Sequence, residues 1–550
     1  MSLSFARARE IVVRRLAAEK GTVHKDWGGR LPIALIFPQR YQLAMSNLGF
    51  QTLYGLLNSE SDVVCERATW EGEDFPPLAL ESQRSLVEFP VWAFSVCFEL
   101  DYLHLVALIR QAGLPLYASE RREGDPLLLG GGIALSANPE PVAPFLDAIV
   151  VGEAEPVLPA ILDVFRGEAS REGRLAALAG LPGLYVPAHH DGRPVARQWA
   201  RDISSFATTS VVLTPDTEFG DTFLVEIARG CRWGCRFCLA GHYTRPPRFR
   251  PLAQLQPQFV EGLRYRSRIG LVGAAVTDHP ALDDIVLTIQ ELGGGFTPAS
   301  LRADQLTPTL LQALRASGTK TLTLAPEVGS ADLVGRISKG FGAEELFQAV
   351  DMAREAGLRR LKLYFMVGLP GERGEDAAAI ADLVREVRSR LPGSALSLSI
   401  APFVPKAHTP FQWAEMAGAR ELQARLRSLQ KELRPLGVAV EDESVPWARV
   451  QGVLARGDRR LAPVLAQMKG LTLGAWRRAL AVEGLDEEAY LRRREAEEVF
   501  PWEVVDSGAG RPFLWREWER AQKGQESPPC RPEEGCRRCG VCVGGNYADG

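Results

Sequence analysis

The run Phe223-Leu224-Val225-Glu226-Ile227-Ala228-Arg229-Gly230-Cys231-Arg232-Trp233-Gly234-Cys235-Arg236-Phe237-Cys238 is an apolar stretch that ends in three closely spaced cysteines. A short apolar run bounded by glycine reads as a buried strand. The loop behind it has the spacing C-x3-C-x2-C, and thiolates this close suit a metal centre. Three ligands leave one position open: an iron–sulfur cluster held through three of its four irons can offer the fourth to a ligand. Structural zinc is the other reading, and zinc wants a fourth protein ligand. His242, four residues past Cys238, is the nearest candidate.

Six apolar runs follow from this point, at residues 222–228, 269–276, 300–303, 319–325, 360–367 and 396–401. Helical patterns such as 308–317 and 343–356 lie between them. Strands alternating with helices build parallel sheets. Six such units predict a partial (βα)6 TIM-type barrel over residues 221–415, with its working face at the carboxyl ends of the strands. The cysteine loop lies on that face. The first 165 residues repeat the alternation, with strands at 33–37, 63–66, 91–98, 126–129 and 147–151 and helices at 50–57 and 102–112. They predict a separate α/β domain over 1–165, doubly wound and Rossmann-like. Its ligand edge is marked by Phe37-Pro38, Gly130-Gly131-Gly132 and Gly152-Glu153. Residues 166–220 read as a connector, 416–525 as a mostly helical extension and 526–550 as a cysteine-cluster tail.

Composition sets limits. The 550 residues are 46% hydrophobic and 24% charged, with a net charge of -4. This is ordinary for a soluble globular chain and shows no global nucleic-acid footprint. No apolar run reaches the roughly 18 residues of a membrane span. The first residues lack the apolar core of a signal peptide, so the expected location is the cytoplasm. There, clustered cysteines point to metal before disulfides. Cys65 and Cys97, alone in apolar runs, read as inert core thiols.

The cysteine run behind its strand resembles the cluster-binding motif of the radical S-adenosylmethionine (SAM) superfamily, with Phe237 as the aromatic before the last cysteine. The resemblance implies a [4Fe–4S] cluster on Cys231, Cys235 and Cys238, its open iron chelated by the amino and carboxylate groups of SAM. It also implies an electron donor of flavodoxin or ferredoxin type and reductive cleavage of SAM to a 5′-deoxyadenosyl radical. Pro326-Glu327-Val328-Gly329-Ser330 resembles the segment that contacts the ribose and carboxylate, which puts Glu327 and Ser330 at SAM. Tyr364-Phe365-Met366-Val367-Gly368-Leu369-Pro370-Gly371-Glu372 is similar to the fifth-strand motif along the adenosine, with Val367 and Gly368. Arg302 stands where a polar third-strand residue meets SAM. The segment around His408 resembles the sixth-strand end of methylthiotransferase-like and cobalamin-fused members. Gly273-Ala274-Ala275-Val276-Thr277-Asp278 replaces the family's Gly-Gly-Glu.

The N-terminal domain resembles the cobalamin-binding domain fused to many radical SAM enzymes, through Met45-Ser46-Asn47-Leu48-Gly49, Gly130 to Gly132 and the run up to Glu155. None of the seven histidines stands in a D-x-H-x-x-G motif. A corrinoid would bind there without a lower histidine ligand, or the domain is a scaffold. In the tail, Cys530, Cys536, Cys539 and Cys542 are a second metal candidate. The last three match the start of a ferredoxin-like run, and four thiolates also suit zinc. Arg245-Pro246-Pro247-Arg248-Phe249-Arg250, with Arg236, could meet an anionic substrate such as RNA or a phosphorylated metabolite. Arginines paired with acids inside the fold are the plainer reading. Three functions stay open: a radical SAM enzyme with cobalamin-dependent methyl transfer, methylthiotransferase-like sulfur insertion with an auxiliary cluster, and a non-catalytic metal- or corrinoid-binding protein. The substrate is unnamed, because function lives in sites and not in folds.

Overall fold

The computed structural model of the protein describes residues 4–542. Its first sheet grows from Leu31–Phe37 (β1), whose last five residues are all buried. A central strand covered on both faces must be apolar on both. Val63–Thr69 (β2), Val91–Ser95 (β3), Leu127–Gly131 (β4) and Ala148–Val150 (β5) extend the sheet in parallel, and Leu184–Tyr185 (β6) closes one edge antiparallel. Helix Leu48–Ser59 packs on the face of Ile33 and Leu35, and helix Asp101–Gln111 on the face of Ala34 and Ile36. The order β2-β1-β3-β4-β5-β6 reverses between β1 and β3. That reversal is the switch point of a doubly wound sheet, where ligands sit outside the carboxyl ends. β3 stops at Ser95, short of the expected 98, because the chain turns there into the switch-point crevice.

The second unit is a partial barrel. Thr222–Glu226, Arg268–Val272 and Gly295–Pro298 form a parallel three-stranded sheet. Leu322–Glu327, Arg360–Val367 and Ala395–Pro402 form another, joined by a short seventh strand, Ala439–Asp442. A single parallel bridge, Leu301–Leu324, links the two sheets. The expected third strand at 300–303 is therefore corrected. The ladder runs through 295–298, where glycine and proline disguise it, and residue 301 supplies only the bridge. The seventh strand, Ala-Val-Glu-Asp, is too polar to read as one and lay within the extension expected to be mostly helical.

Phe223 and Val225 of the first barrel strand pack under Leu255 and Phe259 of helix Leu252–Leu263. Burying each such side chain contributes about 1.5–3 kcal/mol. Leu224 and Glu226 alternate to the lumen side. The fifth strand alternates likewise: Leu361, Leu363, Phe365 and Val367 are buried, whereas Tyr364 between them is exposed. The lumen is open, unlike the side-chain-filled interior of a closed eight-stranded barrel. Helix Arg511–Gln522 returns to the barrel, where Phe513 and Trp518 join Ile337, Phe403, Phe411 and the half-buried Phe237. Ion pairs tie the two units together. Glu153 meets Arg248 at 2.7 Å and Arg229 at 2.9 Å, and Lys406 meets Glu99 at 2.6 Å. Among the described residues no helix is long and apolar enough to cross a membrane.

Candidate functional site

The cysteine loop leaves the first barrel strand at Gly230. This residue has φ +83°, and a Cβ there would stand 2.5 Å from the Thr244 carbonyl oxygen. Only glycine fits such a turn. Cys235 is buried, and Cys231 and Cys238 are half-buried. The thiols lie within one another's field: burial first, then repulsion from the neighbouring cysteines, raises both Cys231 and Cys238 above the ordinary thiol value. Three gathered thiols become favourable once positive metal compensates their charge. Among the described residues no three His, Cys, Asp or Glu side chains converge on one point as a single ion requires. His242, the candidate zinc ligand, is buried against Phe513 with neither ring nitrogen partnered. Burial, then Arg245, pushes its pKa well down.

Three groups fix the loop. Trp233 donates its indole N–H to Asp278 at 2.9 Å. Arg302 stacks its guanidinium 3.6 Å from the centre of the Trp233 ring, well within cation–π range. Asp278 lies in the segment that replaces Gly-Gly-Glu, so that departure now has a structural use. Arg302 also pairs with Asp304 at 3.0 Å and donates to the Lys339 carbonyl at 2.8 Å. It is buried and holds the loop, rather than standing free. Lys339 is the functional neighbour that the sequence did not disclose, since a lone lysine in Ser-Lys-Gly carries no signal. Its ammonium meets Glu327 at 2.9 Å. Burial opposes its charge, but Glu327 and then Cys235 outweigh burial and raise its pKa.

Of the other expected SAM contacts, Glu327 sits at the end of the fourth barrel strand with φ +71°, a conformation non-glycine residues rarely adopt. Ser330 is engaged elsewhere. It caps helix Ala331–Ile337 and donates to Asp376 at 2.6 Å. Val367 is the buried last residue of the fifth strand. The Gly368 N–H is occupied by Glu372 at 2.5 Å.

In the basic stretch the plainer reading holds for three of the four arginines. Arg248 pairs with Glu153, Arg250 with Glu226 at 2.8 Å and Arg236 with Glu517 at 3.1 Å, while Arg245 lies over Phe513. All four arginines are buried. Buried charge favours such pairing; Arg245 alone of the four has no acid partner among the described residues and reaches the Trp233 carbonyl at 3.4 Å.

Between the two units lies a cavity of about 660 Å³. One wall is the switch-point edge: Asn47, Ser95, Cys97 and Gly130 to Gly132. The other is the lumen face of the first three barrel strands, with Leu224, Gly270 and Thr297. Arg229 and Tyr243, which flank the cysteine loop, line it too. The lining is mostly apolar, with one charged corner where Arg229 meets Glu153, Glu155 and Glu226. Gly132 has φ +101°, and a Cβ there would stand 2.3 Å from the Val96 carbonyl oxygen. Cys97 is thus no sealed core thiol: it faces the cavity and accepts from Asn47 at 3.5 Å. Cys65 is fully buried, as expected. His408 lies behind Tyr243, ring centres 5.7 Å apart. The tail cysteines come to rest beside the first loop, where the Cys530 N–H donates to the Arg232 carbonyl at 2.6 Å.

Two family models match the chain. One, described as radical SAM proteins, N-terminal, covers residues 49–187. The other, described as the radical SAM superfamily, covers residues 225–384. An uncharacterized protein of Methanocaldococcus jannaschii is 28% identical over 80% of this chain and 92% of that one. The ribosomal protein uS12 methylthiotransferase RimO of a Synechococcus strain is 22% identical over 68% of this chain and 79% of that one. Among solved structures, the radical SAM methyltransferase TsrM from Kitasatospora setae, with cobalamin and a [4Fe-4S] cluster bound, matches with TM-score 0.51 and 13% identity. That match covers 83% of this chain and 99% of that chain, and the likeness is one of fold.

Proposed function

Because the chain belongs to the radical SAM superfamily, we propose that Cys231, Cys235 and Cys238 hold the [4Fe–4S] cluster that its membership implies. The observation that carries the reading is the set of three gathered thiols at the carboxyl end of the first barrel strand, beside an interdomain cavity. When bound, cluster and SAM together supply a 5′-deoxyadenosyl radical after one electron arrives from an external reductant. The chain's own residues hold and shield. Trp233, Asp278 and Arg302 keep the loop in shape. Lys339 offsets thiolate charge at Cys235 and Cys238. Glu327, with Lys339 on one carboxylate oxygen, and the strand end at Val367 and Gly368, with the Gly368 N–H held by Glu372, are the candidate contacts for the ribose and amino-acid portions of SAM.

The finer reading is corrinoid binding in the interdomain cavity, and methyl transfer to a substrate held between the two units. Its support is the cavity's place at the switch point, its apolar lining, its glycine edge and a fold shared with a cobalamin-bound methyltransferase. A corrinoid there would supply a transferable methyl group. No histidine lines the cavity among the described residues, so it would be held without one as lower ligand. The second reading, sulfur insertion, draws on the methylthiotransferase relative and the tail cysteines.

The test is anoxic purification with iron, sulfide and corrinoid analysis, then SAM with a reductant. The proposal expects 5′-deoxyadenosine from the reconstituted chain and none from Cys235→Ala. No cleavage from cluster-loaded, reduced protein sinks it. Methyl transfer expects bound corrinoid with S-adenosylhomocysteine; methylthio transfer expects S-adenosylhomocysteine without corrinoid, and loses its product but not SAM cleavage in Cys536→Ala/Cys539→Ala.

A further inference from the structure

The tail cysteines lie outside the first cysteine loop, yet hydrogen bonds and ion pairs fix them against it. Helix Arg511–Gln522 brings the chain back to the barrel mouth, and residues 525–542 lie over the first cysteine loop. Three joints hold them. Arg236, between Cys235 and Phe237, sends a fully buried guanidinium to Glu517 at 3.1 Å, the Gln525 carbonyl at 2.6 Å and Ser527 Oγ at 3.0 Å. The Cys530 N–H meets the Arg232 carbonyl. The Arg232 side chain pairs with Glu533 at 2.9 Å. The first tail cysteine is therefore in backbone contact with the residue next to Cys231.

The four thiols form a group. Cys530 and Cys539 are buried, and Cys536 and Cys542 are half-buried. Arg538 closes the segment on itself, donating to the Pro528 and Pro529 carbonyls at 2.6 and 2.8 Å. Its Nε reaches Cys536 Sγ at 3.5 Å. All four cysteines are free. Four free cysteines in one short segment that is folded on itself and pinned against the first loop, two of them buried, are the donor set of a metal centre.

We propose that Cys530, Cys536, Cys539 and Cys542 hold a second iron–sulfur cluster, docked on the first cysteine loop. The spacing C-x2-C-x2-C, the start of a ferredoxin-like run, favours iron–sulfur over zinc. The clusters would be neighbours, joined through Arg232 and Arg236. The inference builds on the reading of the first loop, and its test separates the two.

Full-length protein, purified and reconstituted without oxygen, is assayed for iron, acid-labile sulfide and zinc, then reduced with dithionite for electron paramagnetic resonance. Two cubane clusters predict about eight irons per chain. Cys536→Ala/Cys539→Ala should lose half the iron and one of two signals. Cys231→Ala/Cys235→Ala/Cys238→Ala should lose the other half and keep the tail signal. A triple variant without iron overturns the tail proposal even if the tail variant fails to fold. Zinc in the tail, or undiminished iron in folded Cys536→Ala/Cys539→Ala, overturns it as well. Iron kept by the triple variant but absent from the tail variant sinks the first-loop reading and leaves the tail standing.

Discussion

Arg236 is legible in the sequence only as the residue between two cysteines, yet it joins the loop to Glu517, Gln525 and Ser527. Removing one partner of a buried pair costs about 3–5 kcal/mol, because the other charge stays behind. Arg236→Met should therefore lower stability by about that amount, read as the denaturant midpoint at constant slope. Arg236→Lys should recover little, since one ammonium cannot span three acceptors as a guanidinium does. Equal midpoints for wild type and Arg236→Met would refute the latch. His408 gives a pH prediction. It is buried, its Nε2 has no partner, and burial lowers its pKa to about 4. The unfolded ring titrates near 6.5, so the native state favours the neutral form. Its contribution is whole above pH ~6.5 and is lost at about 1.4 kcal/mol per unit as pH falls toward 4. His408→Asn, which tolerates the φ of +55°, should flatten the fall of the urea midpoint across that window. An unchanged slope would count against it. At this scale the three cysteines were readable because ligand spacing is local. Lys339, and the Trp233 stack with Arg302, were not, because tertiary packing alone brings residues so far apart together.

At the scale of elements, strands with apolar runs declared themselves, as Leu31–Phe37 and Arg360–Val367 do. Gly295–Pro298 and Ala439–Asp442 were hidden: a ladder hydrogen-bonds through its backbone and tolerates poor strand formers at a barrel seam. That seam, a lone bridge at Leu301–Leu324, should be the first barrel position to exchange amide hydrogens, and hydrogen exchange by mass spectrometry checks it. Uniform protection across all barrel strands would contradict the reading. Glycines separate by role. Gly132→Ala places a Cβ against the Val96 carbonyl at a left-handed φ and should cost about 1–3 kcal/mol. It should also deform the cavity edge. Gly124, with open space around it, should accept alanine without loss.

The whole molecule joins two carboxyl-end faces, switch point against barrel lumen, and the cavity exists only because they meet. The sequence showed both halves, since each is built by local alternation. It did not show the facing, which depends on pairs such as Glu153–Arg248 and Glu99–Lys406 across long separations. Glu153→Gln leaves Arg248 and Arg229 short of a carboxylate. It should loosen the joint by about 3 kcal/mol, seen as faster limited proteolysis of the 166–220 connector. Resistance equal to wild type would show that the joint is held elsewhere.

Ser527 meets Arg236 across 291 residues of chain. A ribosome adding about 5–20 residues per second needs roughly 15–60 s to make that span. Through that interval the cysteine loop has left the tunnel while its latch is still unwritten. Iron delivered to the nascent chain finds the loop uncovered. Iron delivered after release would meet the loop with the tail already laid against it.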